Sequence, residues 1–248
     1  MRRWLAVVVA SLALASSTTG CSQGTDKAKL TVFAASSLTA TFTSLEAKFE
    51  RDHPSVDVVV SFGSSTTLAE QITAGAPADV IATADGTSMS VVQDAHQLAS
   101  APVRFATNTL VIAVPAGNPG DVTGVRSLAA TDFVMCAVSA PCGAAGAQLL
   151  RNAGVTADPK SFEPDVAAVL TKVELEEADA GIVYVTDARS AADKVDAVPV
   201  PSADNVVNSY FVAPVTGSDQ APLATAWVNL VTSPAGTSVL AKAGFGTP

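Results

Sequence analysis

Positive charge is what this chain has least of. Its 248 residues include 14 Lys and Arg against 23 Asp and Glu, giving a formal charge of −9, and charged residues of either sign make up only 15%. Soluble proteins usually carry about 25%. The missing basic footprint excludes a nucleic-acid partner, and any anion must be bound without a field of positive charge. Histidine is scarcer still: His53 and His96 are the only two. No CxxC or His-rich spacing accompanies them, so there is no metal site to read. A GxSxG nucleophile elbow is also absent, and no apolar run reaches the roughly 20 residues a membrane span needs. What the chain has in quantity is hydrophobic residues, 48%. That excludes intrinsic disorder and, at this length, supports one large domain or two smaller ones.

The N-terminus reads as an export segment. Arg2 and Arg3 precede the apolar run from Trp4 to Ala15, followed by small uncharged residues and Cys21, the layout of a secretory signal. Gly20 before Cys21 resembles a bacterial lipobox, although Thr18 stands where Leu is usual. This implies a signal peptide over 1–20, an acylated Cys21 and a tether over 21–29. The protein would then lie on the extracytoplasmic face of the cell membrane, held by a lipid anchor only. Ordinary cleavage leaving Cys21 as a free thiol is the alternative. Losing residues 1–20 removes two Arg and no acid, so the charge moves from −9 to −11. Cys136 and Cys142 remain in a compartment that permits disulfides. Joined, they would close a small loop; apart, they are two buried thiols, and spacing does not choose between these.

Along the mature chain, strands and helices alternate. Leu30–Ala34 is an apolar, β-prone run, and Leu38, Phe42, Leu45 and Phe49 follow at helical spacing. His53-Pro54 ends that helix. Strands are expected at 56–62, 78–82, 110–114, 133–138, 181–185 and 195–200. Helices are expected at 68–73, 143–152, 166–177 and 187–192, with two more starting near Pro222 and Pro234. Continuous apolar strands joined by helices indicate parallel sheet covered on both faces. With no internal repeat or long linker, a second lobe must be an insertion within the first, leaving a cleft between the two.

Three strand-to-helix junctions share one grammar. VFAASSL (32–38), SFGSSTTL (61–68) and AVSAPCGAAG (137–146) each run from a strand through small residues into a helix. A helix start offers unsatisfied N–H groups and the positive end of the dipole, which together suit an anion. A single such junction is an ordinary capped helix. Three at the carboxyl ends of predicted parallel strands fall where open α/β sheets bind ligands.

The succession VFAASSL, SFGSSTTLAEQITAGAPADV, NTLVIAVP, PCGAAG, DVAAVLTKVELEEADAGIVY and the closing AGFG resembles the periplasmic molybdate-binding proteins of bacterial molybdate ABC transporters, from about Leu30 to Phe245. The resemblance implies a two-lobed α/β type II periplasmic-binding fold, each lobe a mostly parallel sheet flanked by helices, with the ligand between lobes. Lobe 1 would comprise 30–107 plus 209–248 and lobe 2 the inserted 108–208, with hinge crossings near 106–109 and 205–211. By position, the implied ligand contacts are the hydroxyls and N–H groups of Ser37 and Ser65, the N–H groups of Cys142 and Val166, and the phenol of Tyr184. Cys142 is a departure, since a small residue, usually alanine, is expected there. The implied ligand is molybdate or tungstate, with no cofactor and no further metal, and the implied partner is the transporter permease. A monomer is expected. A sulfate-type receptor of the same fold is one alternative. A thiol enzyme using Cys142, activated at a helix N-terminus, is another.

Overall fold

The computed structural model describes residues 27–248; the leader over 1–20, Cys21 and most of the 21–29 tether lie outside the described residues. The first half opens with β1 (Ala28–Ala35), a 3-10 turn over Ser36–Leu38 and α1 (Thr39–Asp52). It continues through β2 (Val56–Gly63), α2 (Ser65–Thr73), β3 (Val80–Thr83) and α3 (Gly86–Asp94). A long strand, β4 (Val103–Pro115), leads into β5 (Phe133–Cys136), α4 (Pro141–Asn152), β6 (Ser161–Glu163) and α5 (Val166–Glu174). Then come β7 (Ala180–Tyr184), α6 (Val185–Ser190), β8 (Val195–Val198), β9 (Val207–Pro214), α7 (Ala221–Thr232) and α8 (Pro234–Ala243). No helix among the described residues is long and apolar enough to cross a membrane.

The strands form one continuous path, β2-β1-β3-β9-β4-β7-β5-β6, with β8 added on β4. β1 pairs in parallel with β2 and β3, and β5 in parallel with β6 and β7. Every pairing of β4 and β9 is antiparallel, so the sheet is more mixed than the apolar runs suggest. A buried apolar strand reads alike in either direction, and its orientation is set by which neighbour it meets. The residues of β4 from Val103 to Thr109 pair with β9, and those from Leu110 onward pair with β7 and β8. One strand thus belongs to both halves of the sheet.

Buried apolar side chains follow the same division. One cluster draws on residues between Leu110 and Val195. Two others, on opposite faces of β1 and β3, draw on residues up to Ala106 and from Tyr210 onward. In β1 the alternation is direct: Leu30, Val32 and Ala34 face one cluster and Phe33 the other. α1 turns Phe42, Leu45 and Phe49 inward, and the first and last of these meet Trp227 edge-on at 5.6 and 5.5 Å. Burying each ring stabilises by about 2 kcal/mol. The helix stops at Asp52, one residue before His53-Pro54, for the reason the sequence suggests.

Candidate functional site

The strand ends of both halves point toward each other, and the segments that follow them enclose one small cavity. Ser37 lies in the 3-10 turn leading into α1. Ser65 is the first residue of α2, after the extended Ser64. Cys142 follows Pro141, the first residue of α4, where proline fits because the position needs no N–H bond. Val166 begins α5, whose preceding Asp165 accepts from the Ala168 N–H at 3.1 Å. Tyr184 ends β7. All five line the same cavity, with Ala35, Ser36, Gly63, Ser64, Ala84, Pro141 and Asp165 completing its wall. It leaves only about 10 Å³ for the centre of a water-sized sphere.

Among the described residues, no Lys, Arg or His lines this space. The donors are the N–H groups of helix starts, which have no partner within their own helices, and hydroxyls, among them those of Ser37, Ser65 and Tyr184. Ser65 Oγ accepts from the Ala84 N–H at 2.9 Å, and Ser37 Oγ lies 2.8 Å from the Tyr210 phenol oxygen. The Tyr184 phenol oxygen is buried without a hydrogen-bond partner among the described residues. Burial raises its pKa well above the usual phenol value, and the neighbouring Tyr210 and Asp187 push the same way. The phenol therefore keeps its proton. Asp187 is itself buried, and its carboxylate accepts the Tyr184 N–H at 3.0 Å. Loss of hydration outweighs that bond and lifts its pKa from 3.8 to about 7, with Asp165 adding to the rise.

The β5–α4 junction is held tightly. Cys136 and Cys142 are joined by a disulfide with Cα atoms 5.7 Å apart. The thiol-enzyme alternative is thereby corrected: the Cys142 sulfur is bonded and offers no thiolate, leaving the residue its main chain. Gly143 packs so closely that a Cβ there would collide with the Ala137 carbonyl. Across the cavity, Thr66 Oγ1 donates to the Ser139 carbonyl at 2.7 Å, tying α2 to this junction. Cationic side chains occur instead in a neighbouring groove of about 380 Å³, where Arg189 and Lys242 lie.

Sequence reasoning missed Tyr210, Asn108, Asp187 and the Ala84 N–H, which support the cavity from behind. One signal was available: the chain has only two tyrosines, and both meet here, their rings 6.1 Å apart.

A model of the bacterial extracellular solute-binding proteins matches residues 30–246. The molybdate-binding protein ModA of Mycobacterium tuberculosis is 42% identical over 236 residues, covering 94% of this chain and 90% of the relative. Among solved structures, the periplasmic molybdate-binding protein of Azotobacter vinelandii superposes with a TM-score of 0.76 at 21% identity, covering 88% of this chain and 99% of that one. The sulfate-binding protein SubI of M. tuberculosis gives 0.77 at 16%, covering 88% and 86%. At those identities the structural likenesses speak for the fold alone. The family match and the 42% relative go further: this chain belongs to the bacterial extracellular solute-binding proteins, exported transport receptors rather than enzymes.

Proposed function

We propose that this protein is the molybdate receptor of an ABC importer, holding the dianion between its two halves and passing it to a membrane permease. The observation that carries the reading is the buried, unpartnered Tyr184 phenol at the wall of a cavity ringed by helix starts. The 42% identity to a molybdate-binding protein favours this ligand. Ser37 and Ser65 would give hydroxyls and N–H groups, Cys142 and Val166 their N–H groups, and Tyr184 its phenol. Molybdate is fully deprotonated at neutral pH and only accepts hydrogen bonds. Each bond to such a charge is worth about 1.5–3 kcal/mol. A handful, less desolvation and closure, reaches the about −8 to −12 kcal/mol of micromolar to nanomolar binding. Phosphate near neutral pH carries a proton, and these five residues present no carboxylate to accept it, only hydroxyls and N–H groups that serve a proton-free anion as donors. Tungstate, of nearly the same size as molybdate, binds about as well.

On this reading, residues 30–107 and 209–248 form one lobe and 108–208 the other. They close about β4 and β9 by a hinge motion. The receptor works as a monomer, tethered outside the cell by an acylated Cys21. A thermal-shift panel tests the ligand: molybdate and tungstate should raise Tm by several degrees, and sulfate and phosphate should not. Stabilisation by sulfate at concentrations within tenfold of those needed for molybdate would overturn the assignment in favour of a sulfate-type receptor.

A further inference from the structure

Behind Ser37 runs a chain of buried polar groups that the ligand contacts do not include. Tyr210 on β9 is fully buried and its ring is caged by aromatic neighbours, Phe105, Tyr184 and Phe245, at 6.2, 6.1 and 5.2 Å. Its phenol oxygen lies 2.8 Å from Ser37 Oγ, an arrangement in which either atom can be the donor. Asn108 on β4, also buried, resolves the direction. Its carbonyl oxygen accepts from the Thr109 N–H at 3.0 Å, so the other end of the amide is the NH₂ group. That nitrogen donates to Thr186 Oγ1 at 2.8 Å and, over a longer 3.4 Å, to the Tyr210 oxygen.

An amide NH₂ has no acceptor capacity. The Tyr210 oxygen is therefore an acceptor toward Asn108, and its single hydrogen is left for Ser37. Burial raises the Tyr210 pKa and nearby Asp187 adds to the rise, so the phenol stays protonated. Ser37 Oγ, accepting from Tyr210, then has its own hydrogen free for a partner other than Tyr210. Ser65 reaches the same state by a shorter route, because the Ala84 N–H donating to its oxygen is an obligate donor.

We infer that Asn108 and Tyr210 are positioning residues that hold the Ser37 oxygen and leave its hydrogen for the bound anion. This rests on the anion-receptor reading above and names what sets one of that site's donors. Without the relay, the Ser37 side chain loses the contact that holds its oxygen, and its hydrogen is no longer kept for the anion. The relay also sits at the crossing strands: Asn108 and Tyr210 lie on β4 and β9, and Thr186 on α6. Ser37 is thus tied, through the strands common to both halves, to an element of the opposite half.

The test is a calorimetric double-mutant cycle using molybdate, with Ser37→Ala, Tyr210→Phe and the pair. The expected result is that Tyr210→Phe weakens molybdate binding about tenfold in the parent but less than twofold in the Ser37→Ala background. A purely structural loss would weaken binding equally in both backgrounds, and that result would overturn the relay while leaving the receptor reading intact. If Tyr210→Phe proves unfolded by its melting curve, Asn108→Leu carries the same cycle and must give the same coupling. Failure of the parent itself to bind molybdate would overturn the receptor reading and the relay with it.

Discussion

The two walls of the cavity are built on different principles. On one side, Ser37 and Ser65 present side chains whose oxygens are already held, by Tyr210 and by the Ala84 N–H. On the other, Cys142 and Val166 present main-chain N–H groups at the starts of α4 and α5, and the Tyr184 phenol has no partner among the described residues. The first wall depends on which residues stand there, and the second mostly on where the backbone runs. Mutations should therefore read the walls differently: side-chain truncation weakens binding on the first, whereas on the second only changes that move the backbone, or remove the phenol, matter.

The largest effect is expected from a change of backbone position. Gly143→Ala forces a methyl group into the Ala137 carbonyl and should destabilise by about 3 kcal/mol, with loss of anion binding, measured by chemical denaturation and calorimetry. Ser65→Ala or Tyr184→Phe should each weaken molybdate binding by about 2 kcal/mol, the loss of one donor to a charge; Tyr184→Phe should change the Tm of the ligand-free protein little, whereas Ser65→Ala should lower it, because the buried Ala84 N–H loses its acceptor. Replacing both Cys136 and Cys142 by Ala opens a small loop and should lower stability by about 2 kcal/mol. Molybdate affinity should stay within about threefold of the parent, since Cys142 contributes only its N–H. Affinity lost in parallel with stability would show that the second wall depends on its side chains after all.

A smaller, pH-dependent effect separates the walls from their support. Because the folded-state pKa of Asp187 is raised from 3.8 to about 7, the folded protein holds a proton there that the unfolded chain has lost. Stability therefore falls as pH rises from about 4 to 7. Asp187→Asn keeps an acceptor for the Tyr184 N–H without the charge. It should raise Tm at pH 8, leave it unchanged near pH 3.5, and flatten the profile between. The smallest effect is expected for Val166→Ala, within about 0.5 kcal/mol in binding, because the N–H is unchanged.

Much of this was legible in the sequence where local chemistry decides. The helical spacing from Leu38 to Phe49, the stop at His53-Pro54 and the proline starts of α7 and α8 depend only on near neighbours. The five residues that the family resemblance implied line one cavity, and three of them, Ser37, Ser65 and Cys142, stand at the junction motifs. Less legible was whatever depends on distant partners. The first part of β4 carries Arg104, Thr107 and Asn108, polar residues that mask a strand whose pairing is supplied by β9 about 100 residues later. β6 is three residues long, too short for a period to show. Tyr210 sits in a segment with no junction motif, and only the fold brings its phenol to Ser37 across 173 positions of sequence.

The central claim is that neutral donors alone hold a proton-free dianion. The most direct measurement is calorimetric titration of the ligand-free protein at pH 7.5 with molybdate and with phosphate. Micromolar or tighter binding of molybdate with no detectable heat from phosphate is the predicted result. Phosphate binding within tenfold of molybdate would contradict it.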